Sequence, residues 1–126
     1  MRRWPDLYER AIALLREKPR LAGAAIRKTD EIHGAPDTET LGLRDITNRS
    51  RDGTDRLLLQ VDQWAADASA LLEVNAAVNA ALDRRIEVEV AGLRFTTVYD
   101  DGRSHPDSTE GAAHRSDDYQ MEAVSK

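Results

Sequence analysis

Residues 54–83 read TDRLLLQVDQWAADASALLEVNAAVNAALD. Within them Leu57, Val61, Trp64, Ala68, Leu71, Asn75, Val78 and Leu82 recur with the four-three spacing of a heptad seam. That spacing predicts one continuous helix of about thirty residues. Leu58, Ala65 and Leu72 widen the apolar stripe on one flank, and Val74 and Ala81 widen it on the other. A face so broad belongs to a bundle helix rather than to a two-stranded seam. Asp52, Thr54 and Asp55 at its start and Arg84 and Arg85 past its end suit the helix dipole.

Upstream, apolar pairs at Leu7 and Tyr8, Ala11 and Ile12, Leu14 and Leu15, Leu21 and Ala22, and Ala25 and Ile26 predict a first arm over Asp6–His33. Pro19 interrupts it. Proline removes a backbone donor and crowds the carbonyl four residues back, so the arm kinks there or restarts with Pro19 at a first helical position. The unbroken apolar phase favours a kink. Gly34 and Pro36 stop the arm, and residues 35–53 read as a long connection pinned by Leu41, Leu43 and Ile46.

Beyond Arg85 the period changes to two. Ile86, Val88 and Val90 alternate with Glu87 and Glu89, and Leu93, Phe95, Thr97 and Tyr99 alternate with Arg94 and Thr96. This predicts a β-hairpin turning at Ala91 and Gly92, with Val90 opposite Leu93, Glu89 opposite Arg94 and Val88 opposite Phe95. Residues 101–126, with Gly102, Ser104, Pro106, Ser108, Gly111, Asp117 and Asp118, predict a flexible polar tail. The expected fold class is therefore mainly α with a small β-hairpin, an α+β chain. Its body is an antiparallel long-helix hairpin, four-helix-bundle-like if dimeric. The expected domains are 1–100, the helical hairpin with its β-hairpin, and 101–126, the tail.

The 126 residues carry a net charge of -5 and contain no cysteine, which excludes a disulfide scaffold and a thiolate zinc site. No apolar run has the length of a signal core or a membrane span, so the chain reads as soluble and cytoplasmic. Phosphate-loop, dinucleotide, hydrolase-elbow and zincin motifs are all missing, so no enzyme, cofactor or metal is expected. His33, His105 and His114 match no ligand spacing. Asp62, Asp67, Glu73 and Asp83 fall outside the seam and read as solvated charges.

The residues expected at an interface are Leu57, Val61, Trp64, Leu71, Asn75, Val78 and Leu82. Asn75 is the polar position on the seam and reads equally as a register-setting buried amide or as a wet residue where the helix leaves the core. Leftover apolar surface points to a homo-oligomer or a protein partner. Met1–Lys28 holds eight basic residues against three acidic ones, so a second reading is a nucleic-acid-binding regulator or packaging component. Its contacts would be Arg2, Arg3, Arg10, Arg16, Lys18, Arg20 and Arg27. Arg44, Arg49, Arg51 and Arg56 add a second basic patch.

In its Arg- and Ala-rich acidic composition, helical hairpin, small β-hairpin and polar tail, the chain resembles the small accessory proteins of phages and mobile elements from GC-rich actinobacterial hosts. The resemblance rests on the whole chain and on no motif. It implies a host-interacting, regulatory or assembly role.

Overall fold

The structure, a computed structural model, describes residues 7–32, 36, 38–51, 54–83, 88–90, 93–105 and 113–125. It is an α+β fold built on a six-stranded sheet, and it corrects the expectation of a mainly α helical hairpin. The elements are α1 (Leu7–Arg16), β1 (Ala25–Lys28), β2 (Thr40–Arg51), β3 (Thr54–Ala65), α2 (Ala68–Leu82), β4 (Val88–Val90), β5 (Leu93–His105) and β6 (Ala113–Ser125). The strand order is β1-β2-β3-β6-β5-β4. Among the described residues only β1 and β2 run parallel, and the other strand pairs are antiparallel.

The thirty-residue helix is two elements. Leu57, Leu59 and Val61 are buried at alternate positions of β3, and Gln63 and Ala65 continue the same face. A spacing of four is even, so Leu57 and Val61 satisfy a strand as well as a heptad; the next step, to Trp64, changes face in a strand. Three consecutive leucines favour helix by intrinsic propensity, but burial between β2 and β6 overrides it. The helix begins after Asp67, whose carboxylate accepts from the Ala70 N–H at 2.8 Å. Replacing Asp67 by alanine orphans that donor, and chemical denaturation should register a loss of about 1 kcal/mol.

The buried stripe of α2 is Val74, Val78, Ala81 and Leu82, two seam positions together with the anticipated Val74 and Ala81 flank; Leu71 and Asn75 are half-buried and Leu72 is exposed. Both α-helices lie on one face of the sheet, where α2 packs on β3 and β6 and α1 packs beside it. Leu7, Ala11, Leu14 and Leu15 of α1 join Leu41, Leu43, Leu57, Leu59, Val61, Tyr119 and Met121 in one core. The chain's own sheet lies under the buried stripe of α2.

The first arm also divides. Helix α1 stops at Arg16, and Pro19 opens a separate 3-10 turn over Pro19–Leu21. A kinked continuous arm gives way to the restart, because beyond Gly23 the chain turns extended as β1 and pairs with Thr40–Leu43. The long connection contains β2, separated by two residues from its partner β3, with Arg51 opposite Thr54. The two intervening residues are Asp52 and Gly53, the dipeptide most favoured in tight hairpins.

At the C-terminal end the hairpin register is the one the alternation predicts: Val88 opposite Phe95, Glu89 opposite Arg94 and Val90 opposite Leu93. The flexible tail is corrected. Strand β5 runs on to His105, and residues 113–125 form β6, hydrogen-bonded to β3 on one side and β5 on the other. Tyr119, Met121 and Asp117 are buried there, which places the end of the chain at the centre of the domain rather than outside it.

Candidate functional site

The polar residues that the fold gathers lie at Asp62 and Gln63 of β3 and at 114–119 of β6. Asp62 stands opposite Ser116 and Val61 opposite Asp117, so consecutive residues of each strand serve opposite faces of the sheet. Two polar clusters result, one under α2 and one on the far face.

Under α2, Asp117 is 0% exposed and its carboxylate accepts from Gln63, Asn75 and Arg115. Gln63 donates to Oδ2 at 2.6 Å and Asn75 at 2.5 Å. Arg115, two residues along the same strand, brings Nε to 3.1 Å from Oδ1 and Nη2 to 3.0 Å from it. Asn75 also donates to Gln63 Oε1 at 3.0 Å, Asn79 donates to Asn75 Oδ1, and the Tyr119 hydroxyl donates to Asn79. The network ties α2 to β3 and β6 by directed bonds, and so fixes the rotation of a helix whose apolar stripe alone tolerates sliding. A carboxylate so enclosed is a structural anchor; a catalytic base needs access to a proton it can take.

On the far face Asp62 is 4% exposed. Thr29 donates to Oδ2 at 3.0 Å, Gln60 donates to Oδ1 at 3.0 Å, and the Ser116 hydroxyl donates to Oδ1. His114 Nε2 stands 3.7 Å from the same oxygen, and its ring stacks on Trp64 with centroids 4.4 Å apart and planes 8° from parallel. Burial pushes the Asp62 carboxyl up, but the neighbouring His114 ring and the bonds from Ser116, Gln60 and Thr29 outweigh it and hold the group at about 2. Serine, histidine and aspartate thus meet without forming a nucleophilic triad. The Ser116 proton is given to the carboxylate, whereas a nucleophilic serine gives it to imidazole.

Thr29 reaches Asp62 from the 3-10 turn Thr29–Glu31, which lies against β2 over Gly42. A Cβ at Gly42 would stand 2.9 Å from Ile32 Cδ1, 2.9 Å from Thr29 Oγ1 and 3.1 Å from Trp64 Cζ3. A side chain at this position would force Thr29 and Ile32 to shift from where they close over Asp62. The depressed carboxyl also sets a pH response. Asp62 ionises more easily folded than unfolded, so its contribution is complete above about pH 4 and disappears as the pH falls towards 2; about 2 kcal/mol is at stake. Urea midpoints of the wild type and Asp62→Asn should differ most near neutrality and converge towards pH 2.

Of the residues expected at an interface, Leu57, Val61, Val78 and Leu82 are buried in the core, Trp64 stacks on His114, Leu71 is half-buried and Asn75 bonds within the chain. Asn75 is half-buried and spends its amide on Gln63 and Asp117 of its own chain. Of the basic residues, Arg2 and Arg3 fall outside the described residues. The others sit on separate elements rather than on one helical stripe: Arg10 and Arg16 on α1, Lys18 and Arg20 at the 3-10 turn, Arg27 on β1. Arg20 grips Glu39 through both terminal nitrogens at 2.7 and 2.8 Å, with Glu73 at 3.5 Å from Nε. That fork holds the Glu39 carboxyl below its usual range and occupies the guanidinium within the chain.

No group of three metal-ligating side chains occurs among the described residues, and no described helix is long and apolar enough to cross a membrane. The sequence reading missed Asp62, Gln63, Ser116 and Asp117, whose partners lie 54 residues apart. The available signal was alternation in AHRSDDYQMEAVS, where Tyr119, Met121 and Ala123 fall two apart.

No family model and no curated protein matches this sequence. Among solved structures, the chain is similar to one from the "Virion of native gene transfer agent (GTA) particle", with 14% identity, a TM-score of 0.64, and coverage of 90% of this chain and 91% of that one. At that identity the likeness establishes a shared fold.

Proposed function

We propose that this protein is a non-enzymatic structural or accessory subunit of a phage-like particle, acting through protein-protein assembly. The observation that carries the reading is the near-complete correspondence with a chain of the gene transfer agent virion, 90% of this chain against 91% of that one. A likeness spanning both chains from end to end concerns the whole architecture, not one common motif. The polar clusters support the same reading: their carboxylates are enclosed and fully engaged in holding the fold. The phage part of the sequence resemblance agrees with this proposal; an actinobacterial source is no part of it.

Light scattering coupled to size exclusion tests the reading. A structural subunit should exceed its 14.1 kDa monomer mass as concentration rises. A monomer at every concentration, in the unmodified full chain, would remove the proposal.

A further inference from the structure

Among the described residues, both outer long strands of the sheet are covered over only part of their length. Strand β1 covers β2 at Thr40–Leu43, and β4 covers β5 at Leu93–Phe95. Among the described residues, no strand pairs with the outer edge of β2 from Arg44 to Arg51, or with that of β5 from Thr96 to His105. Open backbone of this length is a template for another strand.

The two open stretches are complementary in three respects. Through β3 and β6, β2 and β5 run in opposite directions, so a second copy placed alongside in the same orientation presents β5 antiparallel to β2. The covers lie at opposite ends: Thr40 is in line with His105 across the sheet, and Arg51 is in line with Arg94. Sliding the second copy by four residues, about 13 Å at roughly 3.3 Å per residue, clears β1 and β4 together. An even shift also keeps both helical layers on one side of the continued sheet.

Charge is the third respect. Arg44–Arg51 carries three arginines and one aspartate, a net of +2, whereas Val98–His105 carries Asp100 and Asp101 against Arg103, a net of -1. Pairing β2 with β2, or β5 with β5, sets like charges together; pairing β2 with β5 sets opposite charges together.

We propose that Arg44–Arg51 of one copy adds, antiparallel, to Val98–His105 of a second copy, extending the sheet from subunit to subunit. This names the contact for the assembly proposed above and rests on that reading. Asp45 comes opposite Ser104, and Arg49 comes beside Asp100 and Asp101. The contact joins two different edges, so each copy keeps one edge open and the association continues beyond a dimer.

The chain has no cysteine, which makes cross-linking clean. Within one copy, Asp45 and Ser104 are separated by three strand spacings, about 14 Å before the offset along the strands, too far for a disulfide. Mild oxidation of Asp45→Cys with Ser104→Cys should give a ladder of dimers, trimers and larger species on a non-reducing gel, collapsed by thiol. Either single variant should stay monomeric on that gel. Cross-linking by a single variant would show like edges meeting and overturn the proposal.

A mass above the monomer with no ladder would overturn this contact while leaving assembly intact, and a monomer at all concentrations would remove both. Hydrogen exchange on the unsubstituted chain covers the case of a misfolded variant. Amides of 44–51 and 98–105 should gain protection as concentration rises, and exchange that does not change on assembly would overturn the contact.

Discussion

A chain ending at residue 112 is expected not to fold. The fourteen residues removed are those that composition assigns to a solvated tail, yet 113–125 is the strand between β3 and β5, paired with both along its whole length. Without it the sheet parts into two pieces, and Leu57 and Leu59 lose Met121 and Tyr119 from beside them. Native stability is only about 5 to 15 kcal/mol, less than the loss of a doubly paired central strand and two large buried side chains. Circular dichroism should show no cooperative melting transition. A truncated chain that melts cooperatively near the full-length temperature would contradict this placement of β6.

Arg115→Met should be the most damaging single substitution in the polar network. Asp117 is 0% exposed, and removing the guanidinium takes the Arg115 charge from beside a buried carboxylate to which Gln63 and Asn75 offer neutral amides. Breaking a buried pair from one side costs about 3 kcal/mol, chiefly through the charge left behind. Adding Asp117→Asn should restore part of the loss, because it removes that charge and keeps an acceptor for the amides. Urea unfolding of both variants measures the difference; a double variant less stable than Arg115→Met alone would show that the charge itself is not the cost. Either substitution also loosens α2, since Asn75 is held through Gln63 and Asp117.

What the sequence disclosed depended on the range over which each signal acts. The hairpin at Val88–Val90 and Leu93–Phe95 was legible down to its register, because its alternation is local and its turn is short. The C-terminal half of the anticipated long helix was legible as well, from its apolar spacing, although its cap at Asp67 read as a solvated charge. Leu57–Val61 was not, for a four-residue interval is common to a heptad and a strand, and only Trp64 separates the two readings. Asp52 and Gly53 between two alternating stretches were the overlooked punctuation: read as a two-residue hairpin they would have converted the connection into β2 and the start of the helix into β3.

Strand β6 was hidden for a different reason. A central strand is usually apolar, whereas this one spends Ser116 and Asp117 on polar bonds to residues more than forty positions away, with Arg115 turned onto Asp117. Local composition registers the polarity and not the partners. The same long range explains why Asp62 read as a surface charge, although Thr29 and Ser116 enclose it. Asn75 stood out on the seam, but its partners, Gln63 and Asp117, lie on strands that the helical reading did not contain.

Limited trypsin digestion of the native full-length protein, followed by mass spectrometry, addresses the position of residues 113–125 most directly. Arg115 is a trypsin site on β6, and its bond must leave the sheet before the protease can hold it. Survival of that bond until global unfolding is the predicted result, with cleavage after Arg115 following the unfolding rate. Prompt cleavage there, leaving a stable folded fragment ending at Arg115, would contradict the fold and the subunit contact built on it.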